Sequence, residues 1–227
     1  AIAVSDKNNN GTDDNTADDY YQVAVKMLNT WTDFNTGQKN TNEDWQIYSI
    51  YASGSDQGDN NWDKTVWTQS IQSYEETFGQ DLDGDNSIGL NLSNLTTATG
   101  DTTGWLLKKD SKKSLYITDS DGNNPVTIKD EYGGTPNFDF TSNWGSGSHS
   151  SEAIAAEINS DNTFSIAIKH TNTFGEDSNT DWEILNVSNT GVISWDKSVW
   201  TQSIQSYEAG FGQDLDGDSA IGLNLSN

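Results

Sequence analysis

The sequence predicts a mainly β protein of the β-rich α+β type, with small antiparallel sheets and with one amphipathic helix and one acidic loop in each of two repeat units. Residues 62–94 recur almost unchanged as residues 195–227. The two copies align without a gap and differ only at Thr65/Ser198, Glu76/Ala209, Thr77/Gly210, Asn86/Ser219 and Ser87/Ala220. Each copy follows segments in which apolar and polar residues alternate, which is the pattern of half-buried strands.

The repeated block divides the chain into two predicted domains. Residues 1–94 form a first, N-terminally truncated repeat unit, and residues 95–227 form a second, complete one. The tetrapeptide at 153–156 aligns with that at 1–4 if the Asn- and Asp-rich loop that follows is an insertion in the first copy. The chain is thus expected to begin partway through a repeat and to expose a strand edge, which invites pairing with a neighbouring subunit.

The strand segments keep the same order in both units. The predicted strands are residues 20–27, 44–51, 105–109, 114–118, 126–129, 164–170 and 181–187. The first two are expected to pair as a hairpin across a polar connection at 31–43. Residues 145–151, rich in Gly and Ser, are expected to be flexible.

The block itself opens with a helical pattern. Large apolar residues recur at i, i+4, i+7 and i+11, which places them on one helix face. They are Trp67, Ile71, Tyr74 and Phe78 in the first copy, and Trp200, Ile204, Tyr207 and Phe211 in the second. Thr65 or Ser198 is the predicted N-cap, and Gly79 or Gly212 the predicted helix stop.

An acidic loop follows each helix and carries the clearest chemical signal. Its alternating side-chain and carbonyl ligands are predicted to be Asp81, Asp83, Asp85 and Ser87 in the first copy, and Asp214, Asp216, Asp218 and Ala220 in the second. Closely spaced carboxylates repel one another, and Ca²⁺, which prefers hard oxygen ligands, relieves that repulsion. The spacing is that of the first half of an EF-hand loop, so we expect Ca²⁺ as the cofactor.

The loops depart from an EF-hand at two positions. The sharp turn at position 6 falls on Asn86 or Ser219 instead of Gly, and position 12, normally a bidentate Glu, is Leu92 or Leu225. The nearest carboxylates shared by both copies are Glu75 and Glu208. Ile88 and Ile221, at position 8, are expected to pair as a short strand. The alternative interpretation is a solvated acidic turn, because Asp-Gly is a common turn dipeptide.

Two further segments have a similar alternation of oxygen-bearing side chains. The first, which precedes Gly11, contains Asp6, Asn8 and Asn10. The second, which includes Gly122, contains Asp119, Asp121 and Asn123. Asn and Asp are also the ordinary residues of turns. We therefore treat both segments as secondary metal candidates.

The run from Trp62 and Trp67 through the acidic loop to Gly89 resembles the tryptophan-rich repeat domain of cyanobacterial and other bacterial exoproteins. The loop also resembles the calcium loops of dockerins and adhesin repeats. The resemblance covers the two blocks and, more loosely, the strands before them. It implies a secreted or surface-exposed, calcium-associated module, and says little about biochemical activity.

The amino-acid composition limits the classes of binding partner that the chain is expected to have. The net charge is −24, from 35 acidic and 11 basic residues, which argues against nucleic acid and against an anionic membrane surface. The useful partner of such a chain is a cation, although an acidic solvating surface of the halophilic kind is the alternative. There is no cysteine and no apolar run long enough to span a bilayer, so neither disulfides nor membrane insertion is expected.

No catalytic constellation is visible, so we expect no enzyme. The only histidines, His149 and His170, lie in no Ser-His-Asp or zinc-binding pattern. Carboxylate pairs of glycan-degrading enzymes are not excluded, but a duplicated block suits a structural array better than a unique active site.

Tryptophans suggest one more function. Exposed rings stack on sugars, which raises a calcium-dependent carbohydrate-binding module as the alternative. The block tryptophans, Trp62, Trp67, Trp195 and Trp200, are expected in the core, whereas Trp31 and Trp144 are the better candidates for exposed rings. The leading prediction is an extracellular, calcium-binding structural or adhesive repeat module of a bacterial surface protein, matrix filament or surface layer, which associates with itself or with surface glycans.

Overall fold

The structure is a computed structural model that describes residues 3–4, 20–32, 37–51, 65–102 and 104–223. The chain forms two compact units. The first comprises Ala1–Ser93 with Glu131–Thr135, and the second Asn94–Asp130 with Pro136–Asn227. Each copy of the repeated block therefore lies in its own unit, except that Asn94, the last residue of the first copy, falls in the second unit.

The first unit is built on one four-stranded antiparallel sheet. Its strands are β1 (Ala3–Val4), β2 (Tyr20–Thr32), β3 (Lys39–Tyr51) and β4 (Val66–Thr68), in the spatial order β1-β2-β3-β4. Helix α1 (Gln72–Phe78) follows β4. Ala3, Ala24, Trp45, Ile47, Ile71 and Phe78 form the core, which joins the helix to the sheet.

The second unit contains two antiparallel sheets. The smaller has the order β5-β6-β7-β8 and the larger the order β13-β12-β11-β10-β9. The strands are β5 (Thr96–Thr97), β6 (Leu106–Lys109), β7 (Leu115–Thr118), β8 (Val126–Thr127), β9 (Phe140–Trp144), β10 (Gly147–Ile158), β11 (Phe164–Phe174), β12 (Asp177–Val187) and β13 (Val199–Thr201). Helix α2 (Gln205–Phe211) follows β13. The prediction of a mainly β fold with small antiparallel sheets is confirmed.

The larger sheet of the second unit is covered on both faces. One face contributes Ile166, Ile168 and Leu185 to a core that also contains Leu107 and Leu115 of the smaller sheet. The other face contributes Ala155, Ala167, Trp182 and Ile184 to a core shared with Ile204 and Phe211 of the α2 region. The helix thus packs on the sheet through the aromatic and aliphatic residues of the repeated block.

The two units share their strand registers. Trp45 pairs with Lys26 and Thr68 as Trp182 pairs with Lys169 and Thr201. In both, the lysine ammonium lies over the tryptophan ring, at 5.3 Å in the first unit and 5.6 Å in the second. Ala3 pairs with Ala24 as Ala155 pairs with Ala167, in agreement with the alignment of the two tetrapeptides.

The long hairpins extend beyond the predicted strands. Pairing in the β2–β3 hairpin continues to Thr32 opposite Lys39, and in β11–β12 to Phe174 opposite Asp177. The outer part of β2 is exposed on both faces. Because alternation marks a strand only where one face is buried, the apolar pattern ends before the strand does. The Gly- and Ser-rich segment at 145–151 is likewise not a flexible tract, since most of it belongs to β10.

Both helices are shorter than the apolar stripe predicts. Trp67 and Trp200 lie in β4 and β13, and the helices begin after Ile71 and Ile204. The predicted N-caps, Thr65 and Ser198, are therefore wrong. The physical reason is a turn between strand and helix, in which the Thr68 hydroxyl donates to Ser70 O at 2.7 Å and accepts from Ser70 N at 3.3 Å.

The second unit repeats this turn between Thr201 and Ser203. The predicted stops are confirmed, because Gly79 and Gly212 adopt left-handed conformations, with φ of 61° and 67°. Within the described residues, no helix has both the length and the apolar character needed to cross a bilayer.

Candidate metal centre

Each acidic loop is organised by a glutamate of the preceding helix. Glu75, fully buried in α1, accepts hydrogen bonds at Oε1 from Leu82 N at 2.7 Å and from Asp83 N at 3.1 Å. Its Oε2 accepts from Gly89 N at 3.0 Å. One carboxylate therefore fixes both the entry and the exit of the loop.

The second loop has the same arrangement. Glu208 is fully buried, and it accepts from Leu215 N at 2.8 Å, from Asp216 N at 3.1 Å and from Gly222 N at 2.9 Å.

Burial is the largest influence on the Glu75 carboxyl of the first unit, and it raises the pKa of that group. The three backbone donors lower that pKa, and the negative charge of Asp83 raises it further. A cation beside Glu75 would favour its ionised form.

The loop aspartates turn the backbone by accepting its N–H groups. Asp81 accepts from Gly84 N at 2.7 Å and from Asn86 N at 2.9 Å, and Asp83 accepts from Asp85 N at 3.0 Å. In the second loop Asp214 accepts from Gly217 N at 2.7 Å and from Ser219 N at 2.8 Å. Asp216 accepts from Asp218 N at 3.0 Å, and Asp218 accepts from Ala220 N at 2.9 Å. The turn expected at position 6 is present, because Asn86 and Ser219 have φ values of 69° and 72°.

Three carboxylates meet in each unit. Glu75, Asp81 and Asp83, and likewise Glu208, Asp214 and Asp216, each offer one oxygen, and within each group these oxygens lie within 4.8 Å of one another. Such a cluster of hard oxygens could hold a divalent metal ion, and suits Ca²⁺ chemically. The helix glutamates, which sequence reasoning named as the nearest shared carboxylates, belong to the groups.

Asp85 and Asp218 lie outside these groups of three, and each is held by a helix glutamine. Gln72 Nε2 donates to Asp83 Oδ2 at 2.9 Å and to Asp85 Oδ2 at 3.3 Å, while Gln205 Nε2 donates to Asp218 Oδ2 at 2.8 Å. Gln72 Oε1 is buried and has no hydrogen-bond partner in the described part of the chain. Rotation of the amide would turn this oxygen toward the carboxylates, where a cation could use it.

Sequence reasoning missed the glutamines. The available signal was the presence of the same glutamine in both copies, three positions before the buried glutamate. That spacing puts the two side chains on one face of the helix.

The remaining loop predictions have mixed outcomes. Ser87 N and Ala220 N donate to Asp85 and Asp218, so positions 5 and 7 are linked. The expected strand at position 8 is wrong, because Ile88 and Ile221 are exposed and lie outside every strand. The buried glutamates take the N–H groups of Gly89 and Gly222, which a partner strand would otherwise use.

The secondary metal candidates differ from the main loops. Asp119 Oδ1 accepts from Asp121 N at 3.1 Å and from Asn123 N at 2.8 Å, and its Oδ2 accepts from Asn124 Nδ2 at 2.8 Å. The Asn123 backbone bond in particular lowers the pKa of Asp119. These contacts are those of a self-contained turn. Asp6, Asn8 and Asn10 lie outside the described residues.

The block tryptophans are not core residues where the structure describes them. Trp67 is 49% exposed and Trp200 is 61% exposed, and Trp195 is similarly open to solvent. Trp62 lies outside the described residues. The buried rings are instead Trp45 and Trp182, on the central strands. Trp31 and Trp144 are exposed, as expected, by 52% and 43%.

Comparison with known proteins identifies no family to which the chain can be assigned. No protein-family model, no curated protein and no solved structure matches the chain. The two carboxylate groups and the shared strand registers are therefore the basis for assigning a function.

Proposed function

We propose that the chain is an extracellular structural or adhesive repeat module in which each acidic loop binds one Ca²⁺. The observation that carries the proposal is the presence of the same buried-glutamate and aspartate arrangement in both units. Most substitutions between the two copies of the block leave the loop ligands untouched, and those within the loop, at 86, 87, 219 and 220, preserve the backbone turn.

Calcium would act as a structural ion here. Asp81, Asp83 and Glu75, with Gln72 after amide rotation, would hold the first ion, and their counterparts the second. Ca²⁺ would neutralise carboxylates whose mutual repulsion opposes packing of the loop against its helix. Because Ca²⁺ is abundant outside cells, the loops would be filled and the modules ordered there.

The module role rests on duplication and charge. Two near-identical blocks, no cysteine and a net charge of −24 suit an extracellular array cross-braced by calcium. The strands β4 and β13, each three residues long, form one edge of their sheets. Pairing with a neighbouring repeat or subunit would take place at such a sheet edge.

The test is thermal unfolding of the whole chain with millimolar Ca²⁺ and with excess chelator. We expect a calcium-specific rise in melting temperature and two bound ions per chain by calorimetric titration. The double variant Asp83→Asn/Asp216→Asn should lose both effects. Glu176→Gln/Asp177→Asn, an equal change of charge at an exposed hairpin tip, should keep them. Equal melting temperatures with calcium and with chelator would refute the calcium role.

Carbohydrate binding is the second candidate, favoured by the exposed rings of Trp31 and Trp144. A glycan array run in calcium tests it. Saturable binding that Trp31→Ala or Trp144→Ala removes would support this function, and an array without specific binding would leave the structural role as the better explanation.

A further inference from the structure

A second cluster of polar groups lies in the second unit, away from the acidic loops. His149, His170, Glu183 and Trp200 come from the neighbouring strands β10, β11, β12 and β13 of the larger sheet. The register places Ser151 opposite His170 and Trp200 opposite Glu183. His170 is only 6% exposed and Glu183 only 7%.

The imidazole of His170 is held between two other rings. It stacks on Trp200 with a centroid distance of 4.4 Å and an interplanar angle of 26°, and on His149 at 5.5 Å and 17°. Stacking covers the faces of the ring, so that its nitrogen atoms can interact only at the ring edge. The two stacking contacts therefore constrain the orientation of the His170 ring.

The polar atoms of this cluster lack ordinary partners. Neither nitrogen of His170 makes a hydrogen bond to any described residue, and the same is true of the buried Ser151 hydroxyl. Buried polar atoms nearly always have a partner, and exceptions commonly mark an ion or water site. Three such atoms on directly paired residues indicate that a further group belongs here.

The separation of His170 and Glu183 fits a shared metal ion. His170 Nε2 lies 3.5 Å from Glu183 Oε2, which is long for a hydrogen bond. Two ligands that each lie about 2.0–2.2 Å from a tetrahedral Zn²⁺ are about 3.4 Å apart. Burial lowers the pKa of His170, as does the neighbouring His149, which favours the neutral imidazole whose lone pair a metal ion can use.

We propose that His170 Nε2 and Glu183 Oε2 bind a divalent transition-metal ion of the zinc class. Imidazole nitrogen suits Zn²⁺, Ni²⁺ and Cu²⁺, whereas Ca²⁺ prefers oxygen, so the site is chemically distinct from the acidic loops. Asp181 pairs with His170 across the strands and raises its pKa electrostatically, and His149 stacks on its ring, so either could supply a third ligand after side-chain rotation. Water completes the coordination.

The first unit provides an internal comparison. In the matching register Met27 pairs with Asp44 as His170 pairs with Asp181, and Gln46 pairs with Trp67 as Glu183 pairs with Trp200. Met27 and Gln46 thus replace both proposed ligands. The chain should bind one zinc-class ion, in contrast to the two calcium ions proposed for the loops.

The experiment is a calorimetric titration of the whole chain with ZnCl₂ in saturating Ca²⁺, so that the loops are occupied. We expect one Zn²⁺ per chain. His170→Asn and Glu183→Gln should each weaken binding by roughly tenfold or more. Asp83→Asn/Asp216→Asn should leave it unchanged, which separates failure of this proposal from failure of the calcium sites.

A second measurement covers variants that fold poorly. In the unaltered chain, histidine ¹H–¹⁵N NMR spectra should show a shift of the His170 ring nitrogens on addition of one equivalent of Zn²⁺. Absence of zinc binding, unchanged His170 resonances, or zinc binding that only the loop variant removes would each overturn the proposal.

Discussion

Gln213 Nε2 donates a hydrogen bond to Asp101 Oδ1 at 3.1 Å, and both side chains are buried in the second unit. Asp101 Oδ2 also accepts from the backbone of Leu107 and of Ala156. Gln213 in turn accepts from Thr102 N at 3.1 Å. Residues distant in sequence, around β6, β10 and the end of α2, are therefore joined through one carboxylate.

This carboxylate predicts a pH effect on stability. Burial raises the pKa of Asp101 despite its hydrogen-bond donors, and the charge of Glu157 adds to the rise. The folded chain therefore keeps the Asp101 proton at pH values where the unfolded chain has lost it. Its contribution to stability is complete below the unfolded pKa of about 3.9 and is lost as pH rises through the raised folded-state pKa.

Urea unfolding of the wild type and of Asp101→Asn at a series of pH values measures this contribution. The free energy of unfolding of the wild type minus that of the variant should fall as pH rises across the window. Carboxylates common to both proteins cancel in the difference. A difference that is constant with pH would contradict the assignment to Asp101.

The buried helix glutamates, Glu75 and Glu208, should stabilise the fold even when no metal ion is bound. Glu75→Gln replaces one acceptor oxygen by an amide N–H group, which would face a backbone donor of the loop. We expect a loss of about 1–3 kcal/mol in the free energy of unfolding, together with weaker calcium binding. Glu76→Ala, the residue that the second copy carries at the equivalent position, is the matched control and should change neither quantity. Denaturant unfolding in chelator measures the stability effect alone.

Two glycines of the second unit should respond to alanine in opposite directions. Gly191 has φ of 87°, and an added Cβ would lie 2.0 Å from Thr127 O, so Gly191→Ala should cost about 1–3 kcal/mol or more. Gly210 lies within α2 and faces open space, so Gly210→Ala should stabilise the chain by about 0.5–1 kcal/mol. Thermal unfolding of both variants tests the turn and the helix together, and a gain in Gly191→Ala would be inconsistent with this geometry.

Because Trp45 is buried and the block tryptophan Trp67 is half exposed, replacing each by alanine should change the free energy of unfolding by different amounts. Trp45→Ala should lose about 3–5 kcal/mol, because the ring is fully buried in the core of the first unit. Trp67→Ala should lose clearly less, about 1–2 kcal/mol, because 49% of the residue is already exposed to solvent. Chemical denaturation distinguishes them, and similar losses would restore the expectation that the block tryptophans are core residues.

The central parts of β2, β3, β11 and β12 could be predicted from sequence because one buried face imposes alternation on them, whereas no strand was predicted for β9 or β10. The helix start could not, since Trp67 fits an i, i+4 pattern with Ile71 while the Thr68–Ser70 turn separates the two residues structurally. Local hydrogen bonds of this kind leave no periodic signal. The same limit hid the outer parts of the hairpins, where neither face is buried.

The grouping of Asp81 with Asp83, and of Asp214 with Asp216, could be predicted because the spacing of these carboxylates is local in sequence. Gln72 required the helix to be placed against the loop. His170 and Glu183 are neighbours only through the register of β11 and β12, in which Ile168 and not His170 pairs directly with Glu183. No spacing along the chain marks such a diagonal neighbour, so this cluster emerges only from the fold.

The matched registers of the two sheets have a consequence for recognition. The copies agree in their loops and differ on the sheet face, where Met27 and Gln46 stand in place of His170 and Glu183. A ligand that reads only the loops would find the two halves of the chain equivalent. A ligand that contacts the sheet face would bind the two units differently, so the duplicated chain contains two chemically distinct sheet surfaces beside two nearly identical loops.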